Sequence, residues 1–190
     1  MDFIDQIFAR LSGEGAVRHE GAAVSQLEHA LQTARLAEME NAPDALVIAA
    51  LLHDYGHLIA GDVAMRARRL DLRHEDIAAR HLSTVFPAEV TEPIRLHVAA
   101  KRYLCTVDPD YTDMLSPASR TSLKAQGGAF NEDGVHIFRR SRFWVAAVRL
   151  RTWDDLAKAE DLTTGGLGTG RLEDYRARMQ RLAHKVAAVA

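Results

Sequence analysis

Hydrophobic residues recur at intervals of three and four along the whole chain, and no segment shows a sustained alternation of apolar and polar residues. This pattern predicts an all-α protein. Residues 45–52 are apolar on every face, which predicts a central helix that begins with Pro43 in its first turn and continues to about Ile59.

Local start and stop signals predict where other helices begin and end. Ser25 with Glu28 three residues later is a capping box, and Ser116-Pro117 is an N-cap followed by proline at the first helical position. Gly127-Gly128 ends the second of these helices. Further helices are predicted at residues 2–12, 73–85, 88–104, 138–159 and 171–186, with Val145 and Leu156 buried in the 138–159 helix and a loop at 165–170.

Ionisable residues follow the apolar run directly. His53-Asp54 stands at its end, and His57 comes one helical turn later. A carboxylate in an apolar interior costs several kcal/mol or more unless it is paired or bound to a metal. A metal ion would provide the compensating charge.

Further metal-ligating residues occur on other predicted helices. A lone histidine on an apolar helix is more often a hydrogen-bonded core residue, but the set taken together favours a metal site inside a helical bundle. Imidazole and carboxylate ligands without thiolate suit iron or manganese and also accept zinc. The candidate ligands in chain order are His29, His53, Asp54, His74, His97 and Asp154.

Length and composition narrow the class of protein. The 190 residues, 47% of them hydrophobic, suffice for one core, so residues 1–190 are expected to form a single domain. Charges nearly cancel, with Lys+Arg 24 against Asp+Glu 26, so no nucleic-acid partner is expected. The single Cys105, the lack of a signal-peptide pattern and the absence of a membrane-spanning run predict a cytoplasmic protein with no membrane partner. The choice between monomer and homodimer stays open.

The ordered ligand set resembles the HD-domain superfamily, in which a histidine, a His-Asp pair and a distant aspartate gather metal inside a helical bundle. Five segments resemble more closely the mixed-valent di-iron HD-domain oxygenases that cleave organophosphonates. These segments are QLEH at 26–29, AALLHDYGH at 49–57, HVAAKRYLC at 97–105, LSPASRTSLKAQGG at 115–128 and WDD at 153–155.

The resemblance implies a buried dinuclear site of one Fe(II) and one Fe(III), with Asp54 as the bridge. One iron would be held by His29, His53, Asp54 and Asp154, and the other by Asp54, His74 and His97. Lys101 would neutralise a phosphonate oxygen, with hydrogen bonds from His57, Ser119 and Ser122. The resemblance also implies O2 as co-substrate and cleavage of a small α-hydroxyphosphonate to phosphate and a carboxylate, with Asp54, His57 and Lys101 as catalytic residues.

The chain departs from the family upstream of His29. Members that act on a 2-amino substrate carry there a tyrosine and a glutamate, where this chain has His19 and Ala22. His19 could line the entrance or bind iron transiently. Loss of the glutamate favours 1-hydroxy-2-(trimethylammonio)ethylphosphonate slightly, because a quaternary ammonium needs no hydrogen-bond acceptor. Hydroxymethylphosphonate remains open, as does the 2-amino compound if Glu14 or Glu20 replaces the lost carboxylate.

The candidate ligands also permit other functions, and several further polar residues are expected outside the site. The same ligands would suit a two-metal HD phosphohydrolase or phosphodiesterase, or a non-catalytic helical sensor. His81, His136 and His184 are expected outside the site. Asp155 is expected to form a solvated ion pair with Arg151 and Lys158.

Overall fold

The computed structural model of the protein describes residues 1–17, 24–59, 73–157 and 170–187, with side chains described up to residue 183. Within these ranges the chain forms eleven α-helices and no β-strand, so the prediction of an all-α fold is confirmed. In chain order they are α1 (Phe3–Ser12), α2 (Gln26–Met39), α3 (Asp44–Leu52), α4 (Tyr55–Ile59), α5 (His74–Leu82), α6 (Ala88–Val107), α7 (Tyr111–Met114), α8 (Pro117–Ala125), α9 (Glu132–Arg139), α10 (Trp144–Leu156) and α11 (Arg176–Ala187).

The predicted helix starts are present as hydrogen bonds. At α2 the Ser25 hydroxyl accepts from the backbone N–H of Glu28 at 3.2 Å, and the Glu28 carboxylate accepts from the backbone N–H of Ser25 at 2.7 Å. At α8 the Ser116 hydroxyl accepts from the backbone N–H of Ser119 at 3.1 Å, with Pro117 at the first helical position. Each cap satisfies backbone donors that the helix leaves unpaired.

Four helices form a ring around the core. Helix α2 packs on α3, α3 on α6, α6 on α10, and α10 returns to α2. Helix α3 is the most deeply buried, because all seven residues from Leu46 to Leu52 lie in the core. Helix α5 packs outside the ring against α4 and α6. The helices that carry candidate ligands therefore either form this ring or, in the case of α5, pack directly against it.

The prediction of one helix from Pro43 to Ile59 is wrong. Pro43 is the N-cap of α3 rather than a residue of its first turn, and the helix ends at Leu52. Helix α4 begins again at Tyr55, so His53 and Asp54 form a turn between two helices. The backbone N–H of His57 donates to the carbonyl of Asp54 at 2.9 Å, an i to i−3 bond that tightens this turn.

The predicted helix over 138–159 is also interrupted. Helix α9 ends at Arg139 and α10 starts at Trp144, which lets Phe138 bury itself beside Tyr103, with ring centroids 5.0 Å apart. Val145 and Leu156 were predicted to be buried but are 50% and 48% exposed. Helical periodicity identified an apolar segment but not the turn within it, and this turn changes which residues face the core. The predicted loop at 165–170, except Gly170, lies outside the described residues.

Among the described helices, none has both the length and the apolar character required to cross a bilayer.

Gly56 marks a close approach between α4 and α5. A Cβ atom at this position would lie 2.0 Å from the backbone carbonyl oxygen of His74. The His74 oxygen belongs to the backbone, and a Cβ is fixed in position by its own backbone. No side-chain rotation can therefore relieve the overlap. The absence of a side chain at Gly56 therefore sets how near His74 can come to the His53-Asp54 turn.

We predict that Gly56→Ala lowers the free energy of unfolding by about 2 kcal/mol or more, since overpacking here must separate two helices. Urea unfolding followed by circular dichroism measures the change. Gly15→Ala is the matched control, because Gly15 is also buried but its added Cβ would be no nearer than 3.4 Å to another atom. Equal stability of the two variants would contradict the proposed contact.

Candidate metal centre

The ring of helices brings the candidate ligands to one place. His29 lies on α2, His53 and Asp54 follow α3, His97 lies on α6 and Asp154 lies on α10. His74, the first residue of α5, joins them from outside the ring. All but Asp54 are buried, whereas the Asp54 side chain is 28% exposed. The candidate ligands are thus buried on most sides, and solvent reaches them at Asp54.

Three of these residues form the first cluster, which comprises His29, His53 and Asp154. Nε2 of His29 lies 3.3 Å from Nε2 of His53 and 3.1 Å from Oδ1 of Asp154, and the remaining distance, His53 Nε2 to Asp154 Oδ1, is 3.5 Å. Ligand atoms at about 2.1 Å from an ion and on adjacent octahedral corners are about 3.0 Å apart. The three atoms are spaced for one shared ion.

His74 and His97 form the second cluster. Their Nε2 atoms are 3.1 Å apart, and they lie 3.5 Å and 3.9 Å from Oδ1 of Asp54. The His57 ring stacks on His74 with centroids 4.0 Å apart, and its Nε2 is 4.0 Å from the same Asp54 oxygen. The ligand atoms of Asp54, His57 and His74 are close enough to hold one ion, so the geometry also admits His57 as a ligand, a role that the sequence did not suggest.

Asp54 lies between the two clusters. Its Oδ2 faces the first cluster, at 3.5 Å from His53 Nε2 and 3.9 Å from His29 Nε2. Its Oδ1 faces the second cluster through His74. One carboxylate therefore presents one oxygen to each cluster, which is the arrangement that a bridging ligand requires.

Backbone carbonyls set the orientation of two ligand rings. His53 Nδ1 is 2.9 Å from the carbonyl oxygen of Ala50, and His97 Nδ1 is 2.7 Å from that of Ile94. A carbonyl only accepts, so Nδ1 carries the proton in each ring. In the neutral ring the lone pair is then on Nε2, which points to the centre of the site.

In the second cluster, burial and neighbouring charges favour the protonation states that a metal needs. Burial, together with His53, lowers the pKa of His97 to about 3, and burial and His57 hold that of His74 well below its ordinary value. Burial alone would raise the pKa of Asp54, but the surrounding histidines hold it well below its ordinary value. Near neutral pH the second cluster thus offers neutral imidazoles and an ionised carboxylate.

Lys101 lies one turn beyond His97 on α6 and is only 2% exposed. Its Nζ donates to the Ser122 hydroxyl at 2.8 Å, and that hydroxyl donates to the backbone carbonyl of Ser119 at 3.1 Å. Ser119 is itself buried at the start of α8. The structure therefore joins three of the predicted substrate-binding residues in one chain of hydrogen bonds.

Other predicted residues fall elsewhere. His19 and Ala22 lie outside the described residues. The His81 ring stacks on Phe3, with centroids 4.9 Å apart, and His136 is exposed. The side chain of His184 and the residue Lys158 also lie outside the described part.

The prediction of a solvated Arg151–Asp155 pair is wrong for the arginine. Arg151 is buried, and its Nη1 also donates to Oδ2 of Asp154 at 2.7 Å. The three-residue spacing of Arg151 and Asp154 on a helix was the signal available in the sequence. The Arg151–Asp154 contact was not predicted, because Arg151 and Asp155 are also at helical spacing and that pair was taken as the partner of the arginine.

The residues present fit a metal cofactor. Their ligand atoms converge in two groups, and two imidazoles are oriented towards the centre. Nitrogen and oxygen donors without thiolate suit a first-row metal of intermediate hardness. A helical bundle with a His-Asp turn and flanking histidines is the architecture of an HD domain, and the model of the HD-domain family matches residues 26–121.

Two curated proteins are similar over most of the chain. The hydroxymethylphosphonate dioxygenase of Gimesia maris is 42% identical over 160 residues, which cover 83% of this chain and 77% of that protein. The glycine-betaine-forming 1-hydroxy-2-(trimethylamino)ethylphosphonate dioxygenase of Leisingera caerulea is 37% identical over 166 residues, which cover 86% of this chain and 83% of that protein. The chain belongs to the HD-domain family, in the group that contains these phosphonate dioxygenases.

We predict that Asp54→Ala abolishes stable metal binding, because it removes the oxygen offered to each cluster and the carboxylate that faces Nε2 of His74 and His97. Metal content after anaerobic loading with Fe(II) and gel filtration measures the loss. His81→Ala, which removes a histidine away from the clusters, should retain the wild-type content. An unchanged metal content in Asp54→Ala would contradict a bridging role.

Proposed function

We propose that this protein is an iron-dependent dioxygenase that cleaves the carbon–phosphorus bond of a small 1-hydroxyalkylphosphonate. The observation that carries the proposal is the carboxylate of Asp54 shared between two histidine clusters, with the buried ammonium of Lys101 one turn beyond His97. The names of the two similar proteins, both phosphonate dioxygenases, support the same activity.

The proposed cofactor is a pair of iron ions, one Fe(II) and one Fe(III). His29, His53 and Asp154 would hold one, His74 and His97 the other, with Asp54 bridging. When bound, the iron pair supplies the redox chemistry that activates O2, the co-substrate. The mixture of imidazole and carboxylate ligands supports iron, and the absence of thiolate argues against a soft-metal site.

Lys101 would bind the phosphonate. Its ammonium is buried and lies one turn from His97, so it would place a positive charge beside the metal centre, where a phosphonate oxygen would accept from it. The Ser122 hydroxyl, which here donates to the Ser119 backbone carbonyl, would turn its proton to a second phosphonate oxygen. The Ser119 hydroxyl accepts from Ser116 Oγ and would donate its own proton to the third. Together these residues would hold the substrate so that its hydroxyl-bearing carbon faces the metal centre.

His57 would act at the accessible side of the site. Its side chain is 39% exposed and its ring stacks on His74 beside Asp54. From this position it would donate a hydrogen bond to the substrate anion and orient it against the second cluster. Because the ring is half exposed, it would also close part of the route by which water reaches the site.

The overall reaction would consume one O2 for each phosphonate. The carbon–phosphorus bond breaks, one oxygen atom enters the phosphate and the other enters the carboxylate, while a proton is released. Hydroxymethylphosphonate would yield formate, and the trimethylammonio substrate would yield glycine betaine. Four electrons leave the substrate, and the same four reduce O2, so no external reductant is needed.

The group attached to the hydroxyl-bearing carbon distinguishes the three candidate substrates. Ala22 replaces the glutamate expected for a primary ammonium, which favours the trimethylammonio compound and hydroxymethylphosphonate over the 2-amino compound. The two favoured compounds are also those that occur in the names of the similar proteins.

We expect the protein, loaded with Fe(II) and partly oxidised, to release phosphate and consume O2 in equal amounts from at least one of these three phosphonates. An oxygen electrode and a phosphate assay measure the two quantities in one reaction. The Asp54→Ala variant is the matched inactive control. Phosphate release from hydroxyphosphonates without O2 uptake, or release only from nucleotides and phosphodiesters, would instead indicate a phosphohydrolase.

We expect Lys101→Met to raise KM for the phosphonate by roughly ten- to a hundredfold, since a hydrogen bond to a charged group contributes about 1.5–3 kcal/mol. Methionine keeps the length and apolar body of the side chain. Lys124→Met, at an exposed position on α8, is the matched control and should leave KM unchanged. Initial rates over a range of phosphonate concentrations measure KM, and an unaltered value in Lys101→Met would contradict the assignment.

A further inference from the structure

Arg151 on α10 is 3% exposed, and its guanidinium contacts the carboxylates of both Asp154 and Asp155. Nε donates to Oδ2 of Asp155 at 2.9 Å, and Nη2 donates to Oδ1 of the same residue. Nη1 donates to Oδ2 of Asp154 at 2.7 Å. One buried guanidinium therefore holds two adjacent acidic residues.

The contact with Asp155 already neutralises the buried charge. It is bidentate, the geometry in which a guanidinium and a carboxylate interact most favourably. The Tyr111 hydroxyl completes this arrangement, because it donates to Asp155 and lies 3.1 Å from Arg151 Nε. The positive charge of Arg151 is thus already compensated by Asp155 and does not itself require the third contact, from Nη1 to Asp154.

That third contact divides the two oxygens of Asp154. Oδ2 accepts from Arg151, whereas Oδ1 lies 3.1 Å from His29 Nε2 and 3.5 Å from His53 Nε2. An Asp154 side chain held in this way turns Oδ1 towards the two histidines of the first cluster. The hydrogen bond also prevents rotation of the carboxylate, which would otherwise change the distance from Oδ1 to both histidines.

Electrostatics agree with this geometry. Burial alone disfavours the charged guanidinium, but Asp154 and Asp155 more than offset it and hold the pKa of Arg151 above its ordinary value. Arg151 therefore stays charged throughout the range in which the protein is folded. Its positive charge, shared with Asp154, limits the negative charge that this carboxylate can donate to an ion.

We propose that Arg151 is a positioning residue of the metal centre, which holds Asp154 so that Oδ1 alone is presented to the ion bound by His29 and His53. This inference rests on the assignment of Asp154 as a metal ligand in the proposed function. Asp155 and Tyr111 hold the guanidinium through Nε and Nη2, which leaves Nη1 to donate to Asp154. Arg151 would act on the ion only through Asp154.

The test is the affinity of each site for metal in Arg151→Gln, measured by anaerobic calorimetric titration of the full-length protein with Fe(II). We expect one of the two sites to lose affinity by roughly ten- to a hundredfold, as is typical when a residue that orients a ligand is removed. The other site should change less than twofold. Arg151→Lys, which retains the charge but has a single donor group, should recover part of the loss.

Arg149→Gln is the matched control, because Arg149 lies on the same helix and pairs with Glu40 at the surface. It should leave both affinities unchanged. If Arg151→Gln does not fold, Arg151→Gln combined with Asp155→Asn removes the guanidinium together with the carboxylate that it would leave unpaired. The same selective loss at one site is expected from the double variant.

Asp154→Ala distinguishes the two ways in which the inference could fail. If Asp154→Ala binds both ions like the wild-type protein, the ligand assignment in the proposed function is wrong. If Asp154→Ala loses one ion while folded Arg151→Gln, or the double variant, binds both normally, only the positioning role is wrong. A fall in thermal stability with equal affinities at both sites would show that Arg151 is purely structural and would overturn the proposal.

Discussion

The rest of the site depends on the position of the Asp54 carboxylate between the two histidine clusters. Its two oxygens face two histidine clusters whose members come from three helices of the ring, from the turn after α3 and from α5. A carboxylate can lie between them only if all these helices keep their spacing within a fraction of an ångström. The buried helix α3, which ends directly before this residue, provides that rigidity.

Charge compensation around the centre is arranged in layers. The inner layer combines two carboxylates with imidazoles, two of which are held neutral by burial and neighbouring charges. Arg151 compensates the negative charge of Asp154 by donating to its Oδ2. Lys101 lies one turn from His97, and its ammonium donates to the Ser122 hydroxyl. Burying one such charged group alone costs free energy. Burying several together is tolerated, because the interactions among them offset the desolvation of each.

Much of the fold followed from local patterns. The helical class, the capping box at Ser25 and the start of α8 at Ser116 are all present, since a cap depends on groups within one turn of each other. The errors occurred where one apolar segment turned out to be two helices. Helical periodicity alone does not detect a turn, because the residues on either side of it stay apolar while their faces change direction.

The sequence by itself determined which residue types are available to the site and the order in which they occur. Only the tertiary structure decided which atoms meet: Oδ1 of Asp154 lies beside His29, 125 positions away in sequence, while Oδ2 lies against Arg151. It also decided that Arg151 is buried rather than solvated. The reason is physical, since side-chain chemistry and capping act over a few residues, whereas distances between ligands on different helices depend on how those helices pack.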